Sequence, residues 1–291
     1  MNQIKIFIEL TRLTKPIGFM LLFWPCSWGL SLAYFFNKNF DSFSTYLLLF
    51  FLGSVLMRSA GCIVNDIVDR KIDHKVSRTK NRPIASGKIS IIKSLIYVIA
   101  LCFFALIILI QFNKLTIILG MISMLLAFLY PFMKRITHWP QLFLGLTFNW
   151  GIIMAWSSIN SYPSVDIIIL YISAIFWTLG YDTIYGAQDI AEDEIIGVKS
   201  TAIKFKHNLK IFVSTCYALS SLLILYLFFY KMPINISSTF SLMFVLSLIY
   251  QIKILDQKDP KTCLKAFKFN NWSGMILFLG IFGLSFNIGG I

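Results

Sequence analysis

Nine runs of apolar residues, each about 20 long, constrain this chain more than anything else, because a run of that length crosses a bilayer as a helix. They fall at approximately 16–36, 43–65, 92–112, 115–133, 140–159, 165–186, 211–230, 234–252 and 271–290. Only Asn113 and Lys114 separate the third run from the fourth, which predicts a tight turn there. A water-soluble core cannot absorb this much apolar surface. Hydrophobic residues are 57% of the 291 and charged residues 13%, against roughly 25% charged in an average soluble domain. The expectation is one integral-membrane domain over residues 1–291.

The charges orient the spans. A net charge of +13 in a soluble protein would point to nucleic acid, but here the basic residues crowd particular loops. With the N-terminus inside, the N-terminal segment and the even-numbered loops hold 22 of the 26 Lys and Arg. The odd-numbered loops hold only Lys38, Lys114 and Lys231, and Arg58 lies inside the second run. The positive-inside rule then predicts a cytoplasmic N-terminus and a C-terminus on the far side. The segment before the first run is too short in its apolar part for a secretory signal, and it is not the Arg- and Ser-rich, acid-free stretch of a transit peptide. The first run is therefore expected to be retained as a span. Five cysteines (26, 62, 102, 216 and 263) sit mostly in apolar runs with no CxxC, and read as packing residues rather than disulfides or zinc ligands.

Eight of the 13 acidic residues fall in two stretches, each at the end of a span that leads into a long basic loop. The first is NDIVDRKID, with Asp66, Asp69 and Asp73; the second is YDTIYGAQDIAEDE, with Asp182, Asp189, Glu192, Asp193 and Glu194. If the helices continue past the apolar runs, Asp66, Asp69 and Asp73 share one face, and so do Asp182, Asp189 and Asp193. Glu192 and Glu194 fall off that face. A duplicated helical unit would explain the recurrence of the pattern, although the two halves have little sequence in common. One Asp at a helix centre costs roughly 2.5–3.5 kcal/mol to insert, so clustered carboxylates need a cationic partner. An all-oxygen donor set favours a hard ion such as Mg²⁺, commonly bound by carboxylates together with substrate phosphates. Arg78, Lys80 and Arg82, in RTKNRPIASGKIS, then read either as arms that fold over a diphosphate or as ordinary inside-loop charges. Arg58 is an intramembrane charge and hence a site candidate, with a structural salt bridge to an Asp as the alternative. Lys134 and Arg135, which close YPFMKR, either join the site or snorkel to headgroups. Trp24, Trp28, Trp139 and Trp150 read as interface anchors or packing.

These motifs resemble those of the UbiA superfamily of intramembrane prenyltransferases. NDIVDRKID is similar to its NDxxDxxxD motif and DIAED to its second, DxxxD, motif. The order, the spacing and the nine runs extend the resemblance over essentially the whole chain. RLTKPIGFMLLFWPCSWGL, LMRSAGCIVND, YPFMKRITHWPQ and GYDTIYGAQD look like the branch that prenylates 4-hydroxybenzoate for ubiquinone synthesis. The resemblance implies an all-α bundle of nine transmembrane helices around a central cavity open sideways to lipid, with cytoplasmic helical cap loops, in the bacterial inner membrane. It implies that Asn65, Asp66, Asp69, Asp73, Asp189 and Asp193 bind Mg²⁺ ions that hold a polyprenyl diphosphate. The allylic C–O bond would loosen, and the acceptor ring would attack ortho to its hydroxyl. Arg58, Lys134 or Arg135 would hold the acceptor carboxylate, and Asp182 and Tyr185 would line its pocket. No obligate protein partner and no nucleic acid is expected. The same chemistry on haem, a naphthoate or homogentisate is the nearest alternative. A cation-coupled transporter is a further one, although its carboxylates would belong near the midplane.

Overall fold

The computed structural model describes residues 3–286, and among these there is no strand. Hydrocarbon solvent leaves a spanning backbone only the helix or the closed barrel, since every N–H and C=O facing lipid must be paired, and here the helix does it. In chain order the helices are α1 (Gln3–Thr11), α2 (Ile17–Asn37), α3 (Phe40–Val68), α4 (Arg70–Asp73), α5 (Ile91–Leu109), α6 (Lys114–Ile136) and α7 (Pro140–Ile159). Then come α8 (Val165–Gly186), α9 (Ile190–Ile196), α10 (Thr201–Lys204), α11 (Leu209–Tyr226), α12 (Ser238–Ile254) and α13 (Pro260–Gly283). Polar residues set many of the starts: the side chains of Asn39, Ser90, Asn113 and Ser164 each accept a backbone N–H of the first turn they cap.

Seven segments are long and apolar enough to cross a membrane, with α8 and α9 taken together and α11 extended by the π-turn Leu227–Lys231. The eighth and ninth predicted runs correspond to α12 and α13, which fall short of that standard. Helix α12 has 17 residues, and α13 opens on a polar half. Helix α13 begins at Pro260 rather than 271, because Asp259 caps it through the Lys261 N–H at 3.0 Å and proline suits a first helical turn. Positions 287–290 of the ninth run lie outside the described residues.

Close approach fixes the central pair, α2 and α7. A Cβ on Gly29 would stand 2.3 Å from the Ile152 carbonyl oxygen, and one on Gly151 would stand 2.3 Å from Cys26 Sγ. Small residues at such a crossing let helix backbones touch where lipid offers no hydrophobic drive. Helices α8, α11, α12 and α13 form one flank, tied by buried polar bonds. Trp177 Nε1 donates to Asn270 Oδ1 at 2.7 Å, and both Asn270 Nδ2 (2.8 Å) and the Tyr217 hydroxyl (2.7 Å) donate to Gln251 Oε1. Trp24 and Trp28 are packing residues, donating to Asn271 Oδ1 and to the Gly274 carbonyl. On the other flank α3 packs on both α2 and α5, and α6 on α7, while α5 and α6 scarcely touch beyond their shared turn.

Candidate active site

Between α2, α3, α5, α6, α7 and α8 lies a cavity of about 980 Å³. Its closed end is apolar, built from Cys26, Phe50, Leu109, Phe112, Gly120 and Met154. Ile99, Phe103 and Leu106 of α5, with Met121, Leu125 and Phe128 of α6, line it and are also exposed. The cavity therefore opens sideways between these two helices. Its other end carries the charges.

The first acidic cluster arrives on α3. The helix runs to Val68, Asp69 forms a joint (φ −91°, ψ 1°), and α4 carries the chain through Asp73. The Asp69 N–H still donates to the Asn65 carbonyl, and the Asp73 N–H to that of Asp69, both at 2.8 Å. The predicted common face survives the joint, and Asp66, Asp69 and Asp73 are 2%, 1% and 6% exposed. The second cluster departs from the predicted continuous helix. Helix α8 ends at Gly186, a single 3₁₀ turn spans Ala187–Asp189, and α9 follows. Asp182, Asp189 and Asp193 nevertheless all line the cavity.

Buried carboxylates attract the nearest cation, and here each cation comes from another segment. Asp66 Oδ1 accepts from Arg12 Nη2 at 2.5 Å and from Arg82 Nη1 at 3.1 Å; the same Arg82 nitrogen reaches Asp73 Oδ2 at 2.8 Å. Lys134 donates to Asp69 Oδ2. Arg78 grips Asp189 with Nε and Nη2 and donates from Nη1 to the Tyr185 hydroxyl at 3.1 Å. Beside it the Ser77 N–H donates to Glu192 Oε2 at 3.0 Å, so the 74–90 loop is latched to the second motif. Burial pushes the Asp69 carboxyl above the usual carboxylate range, opposed by the charges of Lys134 and Arg135. Among the described residues no three acidic, His or Cys side chains converge into a ready metal cage. Asp66, Asp69, Asp73 and Asp189 are instead neutralised by Arg and Lys of the chain itself.

Asn65 and Arg58 also line the cavity. Arg58 makes no ion pair within 4 Å among the described residues, its buried Nε has no hydrogen-bond partner, and its guanidinium lies 5.3 Å from the centre of the Phe148 ring. The salt-bridge alternative is thus not what the structure contains. Asp66, Lys80 and Arg135 stand outside the lining, Asp66 reaching it only through Arg12 and Arg82; Arg135 donates to the Val68 carbonyl at 2.7 Å and sits 3.8 Å from Asp69 Oδ1. Two participants were missed by sequence reasoning. Arg12 was counted only as an N-terminal positive charge, and Glu192 was set aside because it lies off the shared helical face. Nothing in the local sequence of either signals a partner so distant in the chain.

An all-helical body with a laterally open apolar cavity and an acid–base cluster at one end defines an integral membrane protein built around an amphiphile with an anionic head. The chain belongs to the UbiA prenyltransferase family, whose model matches residues 22–274. It is 42% identical over 285 residues to a 4-hydroxybenzoate octaprenyltransferase of Vibrio atlanticus, covering 97% of this chain and 98% of that one. Its fold is similar to the apo structure of a UbiA homologue from Aeropyrum pernix, with a TM-score of 0.74, 21% identity, and 90% and 96% of the two chains covered. A UbiA homologue from Archaeoglobus fulgidus bound to GPP and Mg²⁺ superposes with a TM-score of 0.70 at 16% identity, covering 96% and 99%.

Proposed function

We propose that this chain transfers a polyprenyl group from polyprenyl diphosphate to 4-hydroxybenzoate, ortho to the hydroxyl, giving 3-polyprenyl-4-hydroxybenzoate for ubiquinone synthesis. The observation that carries the reading is the pairing of motif carboxylates with Arg and Lys at one end of an apolar, sideways-open cavity. That arrangement suits a substrate with a diphosphate head and a long hydrocarbon tail. The relative of Vibrio atlanticus, alike over nearly its full length, carries the acceptor.

The residues fit a hard divalent cation. Every candidate ligand is an oxygen, and Asp69 Oδ1 is buried without a hydrogen-bond partner. We assign Asn65, Asp66, Asp69, Asp73, Asp189 and Asp193 to Mg²⁺; a homologue of the same fold, from Archaeoglobus fulgidus, is bound to GPP and Mg²⁺. Bound Mg²⁺ supplies Lewis acidity that makes the diphosphate a better leaving group.

The chain's own residues do the rest. Arg78, Arg82 and Lys134, joined by Lys80 from the loop outside the lining, neutralise charge gathering on the departing diphosphate. Phe148, Tyr130, Tyr181 and Phe267 line the cavity, exclude water and offer ring faces to the allylic cation. Arg58, the one of the three candidate cations that lies deep in the span without an ion-pair partner, holds the benzoate carboxylate. Asp182 and Tyr185 border the ring, and Asp182 receives the proton lost when the new C–C bond forms. The tail leaves between α5 and α6. With nine spans, the basic loops and the cluster end face the cytoplasm across a bacterial inner membrane, and the helical loops cap the site there. The whole of 1–291 acts as one domain, needing no protein partner.

The test uses membranes from cells that express the chain, incubated with radiolabelled 4-hydroxybenzoate and a polyprenyl diphosphate, with Mg²⁺ or EDTA. Lipid-extractable label that requires Mg²⁺ is the expected result. Label that is absent with 4-hydroxybenzoate while another aromatic acceptor is prenylated would reject the acceptor and keep the reaction. Unaltered turnover in both Asp66→Asn and Asp189→Asn would reject the metal–diphosphate site.

A further inference from the structure

We propose that Arg12 is the resident counter-cation of the first cluster: a positioning residue that occupies Asp66 until a divalent cation displaces it, and then turns to the diphosphate. This rests on the reading of the two clusters as a metal–diphosphate site.

The placement of Arg12 is built rather than incidental. Helix α1 is amphipathic, and it buries Ile6 and Leu10 against Ala60 and Ile63 of α3 and against Ile84 and Ile89 of the basic loop. Arg12 follows it with φ 56°, a left-handed conformation that non-glycine residues seldom adopt. The Lys15 N–H closes the turn on the Arg12 carbonyl at 2.8 Å. The turn directs the side chain into the cavity, where it is 24% exposed and 2.5 Å from an Asp66 that is itself 2% exposed.

Asp66 Oδ1 is thereby filled twice, by Arg12 and by Arg82. A cation that needs this oxygen must dislodge one of them. Arg82 is also held by Asp73 at 2.8 Å, whereas Arg12 holds no second carboxylate among the described residues. Arg12 is therefore the guanidinium set free. A freed guanidinium beside an incoming diphosphate has an obvious bidentate target. Because α1 shares its packing with residues 84–89, this exchange is coupled to the same loop that carries Arg78 and Arg82.

The inference separates from a merely structural role by the sign of one number. The full chain in nanodiscs, without donor, is titrated with Mn²⁺, and free ion is read by electron paramagnetic resonance. Removing a competitor should tighten Mn²⁺ binding by Arg12→Gln on the order of tenfold, the worth of one charge-assisted hydrogen bond. The KM for the prenyl diphosphate should rise by a similar factor. Arg12→Lys, which keeps the charge, and Lys15→Gln, which removes an exposed one nearby, should both bind Mn²⁺ like the parent. If Arg12→Gln does not elute as a folded species, Arg12→Met, which keeps the apolar stem, should give the same tightening. Unchanged or weaker Mn²⁺ binding in the folded variant, with the parent binding normally, overturns the role of Arg12. A parent chain that binds no Mn²⁺ overturns the metal site itself, and this inference with it.

Discussion

Arg82→Gln tests whether the cluster is held together by the pairs described above. One nitrogen of Arg82 serves two carboxylates seven residues apart, at 3.1 and 2.8 Å, and a hydrogen bond to a charged group contributes about 1.5–3 kcal/mol. Asp66 retains Arg12 in the variant, so the loss falls on Asp73, which is 6% exposed. An uncompensated charge there should lower stability by about 2–3 kcal/mol. Asp73→Asn is not the mirror image. It leaves Arg82 on Asp66 with 21% of its side chain in contact with solvent, and should cost about 1 kcal/mol or less. The double variant should therefore be more stable than Arg82→Gln alone, because a coupling of up to about 3 kcal/mol outweighs the cost of Asp73→Asn. Unfolding would be followed in nanodiscs, first in EDTA and then in Mg²⁺. The Arg82→Gln deficit should shrink with Mg²⁺, since an ion can replace the missing charge. Equal single effects that simply add, with no response to Mg²⁺, would refute the pairing argument.

Other parts of the molecule give sharper contrasts. Arg78→Ala removes the grip on Asp189 and the bond to Tyr185 together; kcat should fall about 10²–10³-fold, and proteolysis within 74–90 should quicken as the loop comes free of the second motif. Gly29→Ala sets a Cβ against the Ile152 backbone, whereas Gly53→Ala meets nothing within 4 Å; the first should lose about 1–3 kcal/mol in a denaturant melt, and the second should be close to neutral. Leu125→Trp narrows the gap between α5 and α6, so initial rates should fall more with long prenyl diphosphates than with a two-unit donor. Equal slowing with both donors would move the exit elsewhere.

The sequence was most informative where geometry is local. Spacing alone brought Asp66, Asp69 and Asp73 to one face, and the joint at Asp69 did not undo this because the Asp69 N–H keeps its helical partner at Asn65. Spacing was less reliable at Asp182, Asp189 and Asp193: the helix yields to a 3₁₀ turn at Ala187–Asp189, yet all three still reach the cavity. The early start of α13 was hidden by its composition, for Lys261, Lys265 and Lys268 dilute the apolar pattern even though Asp259 and Pro260 are a good helix start. Partner choice was out of reach. That Arg12 would meet Asp66, or Glu192 the Ser77 amide, depends on tertiary packing of segments up to 115 positions apart, and no local preference encodes it.

The same long-range pairing explains how so acidic a cluster can exist beside a membrane at all. Left alone, Asp66, Asp69 and Asp73 would repel one another in a poorly polarisable setting, and each buried charge would carry a desolvation cost of several kcal/mol. Arg12 from before the first span, Arg82 from the following loop and Lys134 from the end of α6 together neutralise all three. The site is therefore assembled only when three separate regions of the chain have come together. Cationic heads on long side chains can also let go, which buried apolar residues could not do. Under the proposed function an ion with a diphosphate would replace each of these contacts, so that folding and ligand capture would use the same carboxylates in turn.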